Sequence, residues 1–206
     1  MSRAAILSAL ALALPALLVA CPGVENPDDP ANDQEVITTV TLTFSPQGGG
    51  ADVVAAHADP ENDGSPVIDA IGLFVGTTYD LSVTFTNELA EPAEDITAEI
   101  AAEGEEHQVF IFGSAVAGPA TGDGGNPIVD HAYADEDAAG LPIGLQHTIA
   151  AVTAGTGEFR VALRHLPAES GVAVKVEGLA EALAEDGEAA LPGDVDTDVT
   201  FALTVE

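Results

Sequence analysis

The strongest constraint on this chain is an alternation with a period of two residues that starts near residue 36 and returns at the C-terminus. Val36, Val40, Leu42 and Phe44 share one face with threonines opposite, and Tyr79, Leu81, Val83 and Phe85 alternate with Asp80, Ser82, Thr84 and Thr86. Phe159, Val161, Leu163 and His165 repeat the pattern, as do Val199, Phe201, Leu203 and Val205. Successive side chains of a strand point to opposite faces, so these segments read as strands with one face in a core. Shorter apolar runs at 53–58, 67–74, 108–112, 128–134 and 143–151 bring the expectation to eight or nine strands. One helix interrupts them: Pro92 suits a first helical position, Glu94 and Asp95 face the positive end of the dipole, Ile96 and Ile100 lie one turn apart, and Gly104 ends it. A second short helical pattern lies around 179–184. The expected fold is mainly β, a two-sheet antiparallel β-sandwich of immunoglobulin-like character with one short helix, formed as a single domain over 36–206.

Two acidic segments look alike. His57-Ala-Asp-Pro-Glu-Asn-Asp-Gly-Ser-Pro-Val67 aligns with Tyr133-Ala-Asp-Glu-Asp-Ala-Ala-Gly-Leu-Pro-Ile143, so that Asp59, Gly64 and Pro66 fall on Asp135, Gly140 and Pro142. Each is followed by a strand pattern, a Gly-Thr pair and another strand pattern, as an internal duplication would require. Acidic turns between strands give the same likeness without duplication, because Asp, Gly and Pro are the expected turn residues.

The N-terminus carries Arg3, an apolar run from Ala4 to Ala20, and then the chain's one cysteine. That is the layout of a secretory signal peptide over 1–20. Leu18-Val19-Ala20-Cys21 resembles the bacterial lipobox, which implies a diacylglycerol on Cys21 and an anchored lipoprotein. Residues 21–35, rich in Pro, Asp and Asn, read as an acidic tether. Loss of Arg3 with the leader leaves Arg160, Arg164 and Lys175 as the basic side chains of a chain whose net charge is −31. Such a surface repels phosphate backbones, which excludes nucleic-acid binding. No Trp, two Tyr and seven Phe argue against a ring-stacking lectin.

Candidate chemistry lies in two places. Asp59, Glu61 and Asp63 alternate before Gly64, the way a loop presents oxygen ligands to calcium, and the second loop keeps Asp135 and Asp137. The twelfth position of a helix-loop-helix calcium motif holds Ala70, and Ala139 stands where the second loop would place a third ligand. Strand parity turns His107, His147 and His165 inward at strand ends, a set that suits zinc or copper if the three meet and that reads as separate core-edge histidines if they do not. His57 and His131 belong to the acidic segments. There is no GxSxG elbow, P-loop, GxGxxG after a strand, or HExxH, so the chain is read as non-enzymatic.

The segments 35–44, 94–100, Glu105-Glu-His-Gln108, Gly140-Leu-Pro-Ile-Gly-Leu145 and Leu163-Arg-His-Leu-Pro167 together resemble a family of small bacterial lipoproteins often named type 1 periplasmic binding domain proteins, some encoded beside TonB-dependent receptors. The two-lobed α/β fold that the name denotes does not match an alternating β chain. The resemblance implies an outer-membrane-anchored accessory lipoprotein, on the periplasmic face or the cell surface, and the domain is read as monomeric. It implies a part in uptake of a metal or small nutrient with a TonB-dependent receptor as partner, and a site that includes His107 and His165. The alternative is a structural or adhesive surface module stiffened by calcium in its acidic loops.

Overall fold

A computed structural model describes residues 35–122 and 126–206. The leader, Cys21 and the tether up to residue 34 lie outside the described residues. The described chain is mainly β, arranged as two sheets, one of them curled into a half-barrel.

The larger sheet is built from β1 (Thr39–Pro46), β2 (Val53–Ala58), β3 (Val67–Ile68), β5 (Thr78–Asn87), β8 (Val116–Ala117), β9 (Val129–Tyr133) and β10 (Gln146–Ala151), in the order β3-β2-β1-β5-β10-β9-β8, with β6 (Glu94–Asp95) paired to β5. The smaller contains β4 (Ile71–Leu73), β7 (His107–Phe112), β11 (Gly155–His165) and β12 (Asp194–Val205), in the order β4-β12-β11-β7. Pairing is antiparallel except for β4 with β12 and β8 with β9, which run parallel at the sheet edges.

Alternation placed the core correctly. Val40, Leu42 and Phe44 from β1, Tyr79 to Phe85 at odd positions from β5, and Phe159, Val161, Leu163, Phe201 and Leu203 from β11 and β12 fill one cluster shared by both sheets. Phe44 meets Tyr79 and Phe159 edge-on, with ring centroids 6.3 and 5.9 Å apart. Each such ring contributes about 1.5–3 kcal/mol by leaving water. Val36 is the exception, exposed ahead of β1.

Among the described residues there are two α-helices, α1 (Ile96–Ala102) and α2 (Leu179–Asp186), the second at the short helical pattern around 179–184. The first starts four residues after Pro92, because Glu94 and Asp95 pair with Asn87 and Thr86 of β5 and Asp95 caps the helix by accepting from the Ala98 amide. Ile96 and Ile100 then enter the main core. Helix α2 covers the outer face of β7, where Phe110 meets Leu179 and Leu183 in a second, smaller cluster. Strand β7 is therefore buried on both faces.

The two acidic segments do not occupy equivalent places. After the first, the chain makes β4 in the smaller sheet and then β5 in the larger; after the second it makes β10 in the larger and then β11 in the smaller. The run 67–74 divides for the same reason, with β3 on β2 and β4 on β12.

Candidate metal centre

Three strand termini meet at one end of the smaller sheet. His107 opens β7 and lies directly across from His165, which closes β11, while Asp194 opens β12 on the other side of His165. The register of β11 on β12 slips between Leu163 and Arg164: Leu163 faces Thr197, Arg164 faces Val195, and Asp196 is the extra residue of a bulge. A bulge reverses side-chain parity on its far side. Asp196 therefore turns inward, with a side chain 0% exposed, and Val195 turns out to solvent.

The rings of His107 and His165 stack with centroids 4.7 Å apart and planes 6° from parallel, and the residues are 0% and 4% exposed. His107 Nδ1 lies 3.3 Å from the Glu103 carbonyl, which can only accept, so Nδ1 carries the hydrogen and Nε2 keeps its lone pair. That Nε2 stands 3.9 Å from Asp196 Oδ2, beyond hydrogen-bond reach. Buried atoms without a hydrogen-bond partner among the described residues include His107 Nε2, His165 Nε2 and both carboxylate oxygens of Asp196. The Glu35 backbone lies towards Asp196 and draws its pKa back somewhat, but it does not meet hydrogen-bond geometry.

Carboxylates dominate the surroundings of this site, and the Lys175 ammonium is the cation that acts on His107. Glu103 Oε2 is 4.0 Å from His107 Nδ1, and ligating atoms of Glu35, Glu103 and His107 lie within 4.8 Å of one another. Partial burial first, and then the carboxylates of Glu99, Glu103 and Glu94, push the Glu35 carboxyl above its usual range. Burial pushes Asp196 up to about 7 and, together with the neighbouring His165, pushes His107 down to about 4. Desolvation thus outweighs the attraction that would pair a charged imidazole with a carboxylate. Beside Glu103 a cleft of about 550 Å³ opens, and Glu105, Glu106, Glu136 and Asp137 line it as well.

His147 does not join His107 and His165, and the expected set of three histidines is corrected here. It lies on β10 in the other sheet, 2.9 Å from His131 Nε2 through Nδ1 and 2.6 Å from the Gly144 carbonyl through Nε2. The carbonyl fixes the hydrogen on His147 Nε2, so His131 donates from Nε2 to His147 Nδ1, and both rings are neutral. Burial pushes the pair down, to about 4 for His131 and about 3 for His147. His147 has no lone pair left for a metal. His57 lies edge-on to Phe201, away from both pairs.

The acidic loops are braced from within. Asp59 accepts from the amides of Asp63 and Gly64, and Asp63 accepts from Ser65. Asp135 accepts from Gly144, Leu145 and Gln146. Asp137 accepts from Ala139 and Leu141 and takes the Lys175 ammonium at 2.7 Å in an ion pair whose two side chains are buried. Among the described residues no three ligating atoms of Asp59, Glu61 and Asp63, or of Asp135, Asp137 and a neighbour, converge as those of Glu35, Glu103 and His107 do.

Sequence reasoning missed Asp196, Glu103 and Glu35. Asp196 carries the parity of an outward residue, and the bulge that reverses it leaves no mark in Asp194-Val-Asp-Thr-Asp198. Glu103 could have been found: it lies four residues before His107, where the turn after α1 folds back on β7. Comparison with protein-family models, with curated proteins and with solved structures gives no match to this chain.

Proposed function

We propose that this chain is a lipid-anchored binding protein of the cell envelope, accessory to outer-membrane uptake, and that its cargo is a metal ion held around His107. The observation that carries the reading is the approach of Glu35, Glu103 and His107 within 4.8 Å at the mouth of a buried imidazole pair. Carboxylates crowded beside an imidazole repel one another until a cation lies between them. The lipobox-like Leu18-Val19-Ala20-Cys21 supports anchoring through a diacylglycerol on Cys21, and the resemblance to receptor-linked lipoproteins supports a TonB-dependent partner. Two sheets closed on one core support a sandwich scaffold of immunoglobulin-like character. The calcium-stiffened surface module is the weaker alternative, since Asp59, Asp135 and Asp137 already accept backbone amides.

The test is elemental analysis of the untagged full chain, purified in detergent and desalted from 1 M salt. Near-stoichiometric metal in the parent, sharply reduced in Glu35→Gln/Glu103→Gln, is the expected result. Metal-free parent protein after challenge with zinc, copper and calcium in turn would overturn the reading. In the same cells, Cys21→Ser moves the protein from the membrane to the soluble fraction if the anchor is as proposed.

A further inference from the structure

Resting on the metal-binding reading, we infer that the ion sits on the inner side of His107, held by His107 Nε2, His165 Nε2 and Asp196, and that it is a divalent transition metal of the zinc class. Four buried atoms there lack hydrogen-bond partners among the described residues, and all can act as acceptors: two imidazole nitrogens and two carboxylate oxygens. A buried polar group left unpaired is costly, so unpartnered acceptors on three neighbouring residues call for an electron-pair acceptor.

The spacing fits. His107 Nε2 and Asp196 Oδ2 are 3.9 Å apart, too far for a hydrogen bond but less than two metal–ligand lengths of about 2.0–2.2 Å. A tetrahedral ion touches both once they close by about half an ångström. His165, stacked on His107, has to leave its 6° stack to bring a second nitrogen to that ion. The other nitrogen of His107 is already engaged as ligating histidines usually are, with Nδ1–H on a main-chain carbonyl, which sets the tautomer and holds the ring. Glu103, which lies on the Nδ1 side of the ring, and Glu35 compensate the charge of the ion from outside its ligand set.

The donors select the ion. Imidazole nitrogens favour zinc, copper(II) or nickel over calcium and magnesium, which take oxygen ligands. Copper(I) wants thiolate or thioether, and this chain has one cysteine, at the lipid site, and one methionine, at position 1.

Zinc is the probe. The full chain in detergent, in 1 M NaCl with millimolar calcium present, is titrated by calorimetry alongside Asp196→Asn, His165→Gln and Glu35→Gln/Glu103→Gln. Asp196→Asn is expected to fold, because its amide can donate to the His107 Nε2 lone pair. One zinc per chain is expected, weakened in Asp196→Asn and in His165→Gln by more than the 10–100-fold that loss of an outer partner costs. Imidazole nitrogen NMR of the unaltered protein gives an independent readout: zinc should shift His107 Nε2 and His165 Nε2 and leave His131 and His147 in place. Zinc that binds with undiminished affinity in Asp196→Asn and His165→Gln, and is lost only with Glu35 and Glu103, would place the ion at the mouth and overturn this inference while leaving the function standing. No zinc at all would overturn this inference, whereas the proposed function falls only if the elemental analysis also finds neither copper nor calcium.

Discussion

His131 and His147 show how little freedom a buried imidazole has. The Gly144 carbonyl fixes the proton on one ring, that ring fixes the proton on the other, and His131 Nδ1 is left against Gly118, where a Cβ would come within 2.8 Å of it. Both pKa values lie below the ordinary 6.5, at about 4 and about 3. A histidine whose pKa falls on folding stabilises the fold fully above its unfolded value and ceases to as the pH drops through the folded one. The unfolded chain takes up protons from 6.5 downward while the native pair refuses them, so stability should decline between pH 6.5 and 4, by an amount on the order of a few kcal/mol. Urea unfolding across that range in the presence of a chelator measures it. The slope should flatten in a His131→Phe/His147→Phe variant, whatever its absolute stability, and an unchanged slope would show that other groups govern acid unfolding.

Among the elements, β12 is where function and fold meet. Its entry is set by Arg164, whose guanidinium donates to the carbonyls of Glu188, Leu191, Pro192 and Gly193, and by Gly193, whose φ of +72° and close approach to the His165 carbonyl leave no room for a side chain. These contacts deliver the chain into the bulge that turns Asp196 inward. Replacing Arg164 by Met leaves four carbonyls without their donor, a loss of about 2–4 kcal/mol. Metal affinity should fall with it although Arg164 faces no ligand, and Arg164→Lys should restore part of both, because an ammonium reaches some of those carbonyls but lacks the planar fork. Thermal melts and zinc titration of the two variants check this; a destabilised Arg164→Met that keeps full affinity would uncouple the loop from the site. The same strand shows what the sequence could disclose. Period two located β1, β5, β11 and most of β12, and it put His107, His147 and His165 inside, because parity depends only on local geometry. It cannot say which sheet each strand joins, so it groups His147 with histidines from which the sheet assignment separates it. Nor could it register a one-residue bulge, which is fixed by contacts between strands, and Asp196 therefore stayed hidden among five surface-like residues.

At the scale of the whole molecule, a net charge of −31 works against the compact state. The three cations of the described chain are all engaged: Arg160 with Asp198 and Glu188 and over the Phe112 ring, Arg164 with backbone carbonyls, and Lys175 with Asp137 and the Gly104 carbonyl. The remaining carboxylates face one another across water, at separations where about 0.1 M salt already screens beyond roughly 10 Å. Added salt therefore relieves repulsion among many groups and weakens few attractions. The buried Lys175–Asp137 pair is largely shielded from the bulk ions that would weaken it. The melting temperature of the metal-free protein should rise steadily from about 0.02 to 1 M sodium chloride, by about 2–4 °C for each kcal/mol of repulsion removed. Tetramethylammonium chloride should give the same rise, because screening depends on ionic strength and not on a fitted cation. A flat or falling curve would mean that the few ion pairs outweigh the acid excess. A rise with calcium at millimolar concentration, far above that of sodium at equal ionic strength, would point back to the loops of Asp59 and Asp135 as cation sites.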